Sequence, residues 1–212
     1  MECGKRTIRH PLIRGGNSSV IGGWPWQAAI YDVKRKDLIC GGALIREEWV
    51  LTAAHCVTVH GTANAREPTD FQVYLGKHFR DNSKDDESVQ IKKVTGWGLN
   101  GSDYPSVLTE VELPIIANRL CRLYDIQRTG KLDFAGTFTA NMFCAGHHTN
   151  TALKDYQTVC PGDSGSPMIL RSSASEGKKW TVVGIVSHYH GEGEPCSERT
   201  PGQFGVFTRV YS

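Results

Sequence analysis

Two short segments of the chain carry residue types that could together perform covalent catalysis. Residues 159–167 place Ser164 among glycines, and residues 51–56 contain His55. A serine hydroxyl is a weak nucleophile until a neighbouring base takes its proton, and imidazole suits that task near neutral pH. A serine between glycines is also the composition of an ordinary turn, so either motif alone is a weak signal. Taken together, they predict a nucleophile and its general base.

The cysteines indicate the compartment in which the chain folds. There are seven of them, and none forms a Cys-x-x-Cys pair of the kind that binds zinc. They are Cys3, Cys40, Cys56, Cys121, Cys144, Cys160 and Cys196. Disulfide bonds are the better interpretation, and they require an oxidising environment. The opening residues contain no apolar signal-peptide core. We therefore expect a piece of a longer secreted, extracellular precursor that begins at an internal methionine.

Length and charge exclude several classes of function. A chain of 212 residues can bury a sizeable core in one domain or in two small lobes. The formal net charge is +2 and the basic residues are scattered, so no nucleic-acid partner is expected. No apolar stretch is long enough to cross a bilayer, so no membrane partner is expected either.

Short strands must position the serine and the histidine. Alternating and β-branched residues predict strands at 71–75, 89–94, 111–115 and 180–185, and one short helix is predicted at 118–124. Many short strands separated by Gly, Pro and Asn favour an all-β barrel or sandwich.

The serine and histidine motifs, each with a cysteine, resemble those of the trypsin/chymotrypsin family of serine endopeptidases. Further blocks at residues 13–16, 24–27, 40–45, 95–98, 184–187 and 205–210 follow the family's order. The resemblance implies an all-β fold of two packed antiparallel six-stranded barrels, with the active site in the cleft between them. Residues 74–77, 80–81 and 95–100 resemble modular clotting and immune initiator proteases of arthropods.

The resemblance assigns catalytic roles to matching residues. Ser164 would be the nucleophile and His55 the general base. The backbone N–H groups of Gly162 and Ser164 would form the oxyanion hole, which stabilises charge that develops in the tetrahedral intermediate.

The resemblance also implies activation by cleavage between Leu12 and Ile13. Residues 1–12 would be a propeptide remnant and residues 13–212 the protease domain. The new amino group of Ile13 would pair with Asp163 and order the oxyanion hole. Leu12 stands where trypsin-activated precursors carry Arg or Lys, which favours self-activation or a chymotrypsin-like activator.

The family pattern pairs Cys40 with Cys56, Cys121 with Cys144, and Cys160 with Cys196. Cys3 is then left over, because its family partner lies in a segment that this sequence lacks. An odd cysteine in a secreted chain is notable.

The specificity pocket can also be assigned by resemblance, to Thr158, Ser187, Tyr189 and Gly205. Thr158 would form the floor, where trypsin-like members have Asp. A neutral floor favours an apolar or intermediate substrate side chain over Arg or Lys. His188 and Tyr189 stand where the family usually has Trp and Gly, and Tyr189 could obstruct the pocket.

A metal site is the alternative interpretation of the histidine-rich stretches. His147 and His148, or His188 and His190 with the acids Glu192 and Glu194, could offer ligands. A structural zinc site needs four ligands at compatible spacing, and most clustered surface histidines bind nothing. We therefore expect no metal and no cofactor.

One family segment is absent. The third catalytic residue should be an aspartate in a strand between the histidine motif and the block at 95–98. Here residues 89–94 run directly into that block, which implies an internal deletion at 94/95 of roughly fifty residues and an incomplete first barrel. Asp81, Asp85, Asp86 and Asp103 are poor substitutes, and none is assigned the role. The chain also stops before the family's C-terminal helix.

Two functions remain open. The first is a secreted serine endopeptidase domain of a clotting or innate-immune cascade, with impaired activity. Its implied partners are a protein or peptide substrate, an activating protease or the chain itself, and a serpin-type inhibitor. The second is a catalytically inactive homologue, or a truncated splice or gene-model product, that acts by binding protein partners. Retention of both His55 and Ser164 favours the first.

Overall fold

The computed structural model describes residues 4, 17–80, 106–131, 138–172, 179–189 and 195–210. In this part of the chain, two antiparallel sheets form the framework, with one two-stranded pair beside them. No helix among the described residues has the length and apolar character that a membrane span requires.

The first sheet has four strands in the order β4-β3-β2-β5. The bounds are Gln27–Asp32 for β2, Asp37–Arg46 for β3, Trp49–Leu51 for β4 and Phe71–Leu75 for β5. The central strands are almost entirely apolar at their buried positions, and Ile30 lies opposite Cys40 in the ladder. The outer strands β4 and β5 are less buried than the central ones, and in the described chain each has a partner on one side only.

The second sheet has five strands in the order β7-β8-β11-β10-β9. The bounds are Ile115–Ile116 for β7, Met142–Ala145 for β8, Pro167–Ser172 for β9, Lys179–Tyr189 for β10 and Gly205–Arg209 for β11. Its core includes the stacked rings of Phe143 and Phe207, with Ala145, Val159 and Val186 around them. The register of β10 shifts on both sides, which bends this long strand.

Aromatic packing joins the two sheets. Strands β1 (Asn17–Ser18) and β6 (Thr109–Glu110) form the two-stranded pair. Beside it, Trp24 packs edge-on against both Trp26 and Trp180. The indole N–H of Trp24 donates to a carboxylate oxygen of Glu110 at 2.7 Å. Trp26 precedes the first sheet and Trp180 belongs to β10, so this cluster fixes one sheet against the other.

The helices are α1 (Ala54–Val57) and α2 (Asn118–Thr129), and single 3₁₀ turns occur at Pro68–Asp70, Leu153–Asp155 and Cys196–Glu198. Helix α2 ends at Gly130, whose φ of 67° is left-handed and whose N–H donates to the carbonyl of Ile126. The predicted helix at 118–124 is therefore confirmed, and it continues for five more residues.

The predicted strands have different outcomes. The strand at 71–75 is confirmed as β5, and 180–185 lies within β10. The prediction at 111–115 is wrong for residues 111–114, which lie between β6 and β7 outside any ladder. Pro114 has no N–H to donate, and the N–H of Glu112 bonds the side-chain oxygen of Gln157 instead. The strand at 89–94 lies outside the described residues. The mostly-β architecture with two antiparallel sheets is consistent with a chymotrypsin-like double barrel.

Candidate active site

Ser164 lies in a tight loop that closes on itself. The backbone N–H of Cys160 donates to the Asp163 carboxylate at 2.9 Å, and the N–H of Asp163 donates back to the Cys160 carbonyl at 3.0 Å. The N–H of Ser166 donates to the Asp163 carbonyl. Gly162 has a φ of 99°, in the left-handed region where a side chain would be strained. This loop leaves Ser164 half-buried.

His55 lies on the short helix α1, directly after β4. Ala53, the residue before this helix, provides no side-chain cap, and the N–H of Cys56 donates to the Ala53 carbonyl at 3.1 Å. Cys56 is buried and forms a disulfide bond with Cys40 of β3, with a Cα separation of 6.0 Å. That bond ties the helix to the sheet, while His55 itself is exposed.

Gly41 connects the two segments. The backbone groups of Gly41 point away from β2. Its N–H donates to the carbonyl of Ser164 at 2.7 Å, and its carbonyl accepts from the hydroxyl of Thr52 at 2.7 Å. One residue of β3 thus holds the serine loop and the segment that leads into His55.

Close packing at this junction excludes side chains. A Cβ on Gly165, whose φ is 83°, would meet the Gly41 carbonyl oxygen and the Thr52 hydroxyl. The N–H of Gly165 donates to the carbonyl of Val186 in β10. On the other side, buried Gln27 donates from its side-chain amide to the Ser166 hydroxyl at 3.1 Å. The junction between the sheets is therefore polar and tightly packed.

Sequence reasoning missed the roles of Gly41, Thr52, Gln27 and Ser166. All four lie in or next to the blocks that carry the family resemblance, but their types suggest only strand and turn positions. Gln27 and Ser166 lie more than a hundred residues apart, so their contact could be predicted only if the packing of the two blocks were known.

The groups assigned to the oxyanion hole are the backbone N–H groups of Gly162 and Ser164. Among the described residues, neither the N–H of Gly162 nor that of Ser164 donates a hydrogen bond. Backbone donors without a partner in a half-buried loop can bind an oxygen that carries developing negative charge.

The electrostatic environment of His55 favours its neutral form. Partial desolvation of the imidazole lowers the pKa of His55 below its ordinary value of 6.5, although the residue as a whole is exposed. In the part of the chain that is described, no carboxylate hydrogen-bonds to His55. The acids Asp81, Asp85, Asp86 and Asp103 lie outside the described residues.

Two of the residues assigned to the specificity pocket pair in the second sheet. Tyr189 of β10 lies opposite Gly205 of β11 in the ladder. A Cβ on Gly205 would meet the side chain of Val159, the neighbour of half-buried Thr158. The Ser187 hydroxyl lies 3.2 Å from Nδ1 of His188.

Arg199 is a buried residue that contacts the neighbour of Thr158. The guanidinium of Arg199 is almost fully buried and donates to the Val159 carbonyl at 2.6 Å.

The activation residues are only partly described. Leu12 and Ile13 lie outside the described residues. Asp163 lines a cavity of about 350 Å³, whose other walls include Trp24, Trp26 and Trp180. The cavity that Asp163 lines is therefore large enough to hold the atoms of several residues.

The cysteines form three disulfide bonds, and these are the pairs that the resemblance implies. Besides Cys40–Cys56, Cys121 bonds Cys144 and Cys160 bonds Cys196, with Cα separations of 6.4 and 5.8 Å. Both values lie in the ordinary range for disulfides. Cys3 lies outside the described residues.

One cluster in the described chain has the spacing of metal ligands, and it consists of Cys40, His55 and Cys56. Both sulfurs belong to a disulfide bond. A disulfide sulfur is not a thiolate and is not a metal ligand of the usual kind. Of the alternative histidine sets, His190, Glu192 and Glu194 lie outside the described residues.

Comparison with known proteins identifies the family. The family model described as Trypsin matches residues 13–95 and 90–212. The chain is 32% identical to Clotting factor C of Tachypleus tridentatus and, equally, to Limulus clotting factor C of Carcinoscorpius rotundicauda. Each alignment spans 270 residues and covers 98% of this chain but 25% of the relative. This chain thus spans about a quarter of the length of either relative.

The alignments are longer than the chain. An alignment of 270 positions over a chain of 212 residues leaves at least 58 positions opposite gaps. The two sections of the family match meet at residues 90–95. Together, the two sections span nearly the whole sequence, and the chain therefore belongs to the trypsin family of serine proteases.

Proposed function

We propose that this chain is a secreted serine endopeptidase domain that hydrolyses peptide bonds through an acyl-enzyme at Ser164. The observation that carries the proposal is the double use of Gly41, whose backbone holds both the serine loop and the segment before His55. Two catalytic segments from distant parts of the sequence need such a connection, because a misplacement of about 1 Å can cost roughly 10²-fold in rate.

In the proposed reaction, His55 accepts the proton of the Ser164 hydroxyl as the oxygen attacks the substrate carbonyl. The carbonyl oxygen becomes negatively charged and accepts hydrogen bonds from the N–H groups of Gly162 and Ser164. Protonated His55 then gives its proton to the leaving amine. A water molecule, deprotonated by the same imidazole, hydrolyses the acyl-enzyme and regenerates the serine.

The proposed activity is weak. A carboxylate normally holds the imidazole in the correct tautomer, and its loss alone costs about 10⁴-fold in kcat. In the described chain no carboxylate hydrogen-bonds to His55, and at least 58 alignment positions have no residue in this chain, and both observations support such a deficit. The meeting of the two family sections at residues 90–95 supports a deletion at 94/95.

The proposed substrates carry apolar side chains at the cleaved position. Thr158 provides no carboxylate to pair with Arg or Lys. Profiling with a peptide library, on a form with the absent segment restored, tests this preference. A strong preference for Arg would mean that an acid reaches the pocket.

Activation is proposed to follow cleavage after Leu12. The new amino group of Ile13 would enter the cavity beside Asp163 and form an ion pair there, which orders the loop that carries Gly162. Leu12 favours self-activation or a chymotrypsin-like activator over a trypsin-like one.

The proposed setting is an extracellular cascade. Three disulfide bonds support folding in an oxidising compartment. Both relatives are named as clotting factors, which supports a place in clotting or innate immunity. The proposed partners are a protein substrate, an activating protease and a serpin-type inhibitor.

The test is to express the oxidised chain with Ile13 as its first residue and to add a fluorophosphonate probe. We expect slow labelling of Ser164 and peptide hydrolysis close to background. The control is Ser164→Ala, which should abolish labelling. Robust hydrolysis that vanishes in the control would contradict the deficit, because some other group would then have to orient His55.

The second candidate is a non-catalytic homologue that regulates a cascade by binding its proteins. The observation in its favour is the lack of a carboxylate on His55 in the described residues. Complete absence of labelling at Ser164, in a chain whose folding is verified by circular dichroism, would favour this candidate over the first.

A further inference from the structure

Strand β1 carries a sequence that the secretory pathway can modify. Residues 17–19 read Asn-Ser-Ser, which fits the acceptor pattern for N-linked glycosylation, Asn-x-Ser/Thr with x other than proline. A second such pattern, at residues 100–102, lies outside the described residues. Tripeptides of this kind are frequent by chance, so the position of residues 17–19 in the fold decides whether the match is a site.

The third residue of the pattern, Ser19, has a hydroxyl that the folded chain does not use. Ser19 is 6% exposed, and its Oγ has no hydrogen-bond partner among the described residues. Ser166 is buried to a similar degree, but its hydroxyl accepts a hydrogen bond from Gln27. A buried hydroxyl without a partner lowers stability. The fold therefore gives no reason for a hydroxyl at position 19, whereas glycan transfer to Asn17, which precedes folding, requires one.

Strand β1 lies at the surface of the molecule. In the described chain it pairs with β6 and with no other strand, and the side chain of Ser18 is exposed. A bulky group attached to β1 would therefore not separate the strands of either larger sheet.

Exposed apolar side chains lie beyond both ends of β1. Val20 and Ile21 follow its C-terminal end and are 40% and 51% exposed. At the other end, Val111 follows Glu110, which lies opposite Asn17 in the ladder, and Val111 is 44% exposed. A glycan is bulky and well hydrated, so on β1 it would stand between these apolar groups and reduce their contact with other molecules.

We propose that Asn17 is an N-glycosylation site whose glycan shields the exposed side chains of Val20, Ile21 and Val111. The co-substrate is an oligosaccharide linked to a lipid through pyrophosphate. The side-chain amide nitrogen of Asn17 bonds to the anomeric carbon of the first sugar, and the amide loses one proton. The bond from that carbon to the pyrophosphate oxygen breaks, and the lipid pyrophosphate leaves. This inference rests on the secretion that forms part of the proposed function, but not on catalysis at Ser164.

The test expresses the full chain behind a cleavable signal peptide in a eukaryotic host, so that the chain enters the secretory pathway. Secreted and cell-retained protein are each treated with peptide N-glycosidase in heavy-oxygen water, which converts every glycosylated Asn into heavy-oxygen-labelled Asp. Mass spectrometry of the peptide that contains residue 17 then separates this site from the pattern at 100–102. We expect the label at residue 17 in most of the recovered chain.

Two serine variants form a matched pair. Ser19→Ala removes the hydroxyl that the acceptor pattern requires, and it should abolish the label at residue 17. Ser18→Ala changes the neighbouring serine, keeps the pattern and should leave the label unchanged. An original chain that lacks the label in both fractions, or a label that persists in Ser19→Ala, would overturn the proposed site.

The unused hydroxyl is tested on the oxidised chain produced without a glycan. Ser19→Ala should unfold at the same urea concentration as the original chain or at a higher one, because the hydroxyl that it removes has no partner. Ser166→Ala is the control, since it removes a hydroxyl that is bonded to Gln27, and it should unfold at a lower concentration. A clear loss in Ser19→Ala would show that the fold needs this hydroxyl, and it would overturn the inference from Ser19 to a glycan.

The shielding is measured by removing the glycan enzymatically from the folded chain and adding an apolar fluorescent dye. Removal should raise dye binding about twofold or more, since it uncovers a contiguous apolar surface. In a chain that carries Val20→Ser, Ile21→Ser and Val111→Ser, removal should change dye binding little. Equal changes in the two chains would overturn the shielding. A glycosylated chain that fails to label at Ser164 would count against the proposed function and leave the glycosylation site standing.

Discussion

The serine loop and the histidine helix hold their functional residues in different ways. The loop around Ser164 is fixed by hydrogen bonds to both sheets and by the disulfide bond of Cys160. The helix that carries His55 has one turn, no side-chain cap and one disulfide bond. The nucleophile is therefore held by many links, and the base by few.

This difference follows the difference between the sheets. The second sheet has five strands, and it supplies Val186 to the serine loop. In the described chain, the first sheet has four strands whose outer members have one partner each, and His55 follows the outer strand β4. Preorganisation of a catalytic group depends on the shell that supports it. We therefore expect changes near the serine loop to destabilise the chain more than matched changes near the histidine.

The largest expected effect is loss of a disulfide bond. Removing Cys160–Cys196 by a double alanine substitution should lower the free energy of unfolding by about 4 kcal/mol, because the bond closes a loop of 36 residues. Removing Cys40–Cys56, with a separation of 16, should cost about 3 kcal/mol. Urea unfolding followed by circular dichroism measures both. The reverse order would mean that the histidine side is the better-anchored half.

The next effect is steric and lies at the junction. Gly165→Ala should destabilise the chain by roughly 2–4 kcal/mol, since the new Cβ meets the backbone of Gly41 at a positive φ. Gly61→Ala is the matched control, because its φ is also positive, at 75°, but no atom lies within 4 Å of the added Cβ. It should cost about 1 kcal/mol. Equal losses in the two variants would show that the junction relaxes.

Much of the fold could be predicted from the sequence, because local patterns report local structure. Apolar residues alternate in the strand at Phe71–Leu75. In the helix that begins at Asn118, apolar residues recur every three to four positions. The failure at residues 111–114 also has a local cause. Its β-branched and apolar residues resemble a strand, but Pro114 cannot donate to a ladder. Composition could not show that the side-chain oxygen of Gln157 would accept a hydrogen bond from the N–H of Glu112.

The candidate site was predicted in part. The motifs around His55 and Ser164 could be found because their residue types are unusual and ordered along the chain. The residues that connect them, Gly41 and Thr52, could not, since contacts between distant segments leave no local pattern. An incomplete first barrel was predicted from the absent strand, but the register of its strands could not be predicted from the sequence.

A smaller effect is expected for one hydrogen bond at the junction. Thr52→Val removes the bond to the Gly41 carbonyl and should cost about 1–2 kcal/mol of unfolding free energy. Thr62→Val is the control, because that hydroxyl donates to the Val59 carbonyl and accepts from the Asn64 N–H, but both bonds are exposed to solvent. It should cost about 0.5 kcal/mol or less. If both variants lose the same amount, the Thr52 bond adds nothing that water could not replace.

The smallest expected effect is a shift in pH dependence. Desolvation lowers the pKa of His55 below its ordinary 6.5, and no carboxylate in the described chain opposes that shift. The folded state therefore binds this proton less readily than the unfolded state, so any stability linked to His55 is complete above pH 6.5 and is lost as pH falls below it. Neutral imidazole is the active base, so labelling of Ser164 should fall to half its maximum below pH 6.5.

The measurement is the labelling rate across pH 4–8, paired with the NMR titration of the His55 ring in the folded chain and in the chain unfolded by urea. We expect the folded chain to give the lower midpoint in the NMR experiment and the labelling rate to follow it. A bound carboxylate would favour the imidazolium and raise both midpoints. A folded-state midpoint above that of the unfolded chain would therefore mean that an acid already faces His55. The histidine would then be as well supported as the serine.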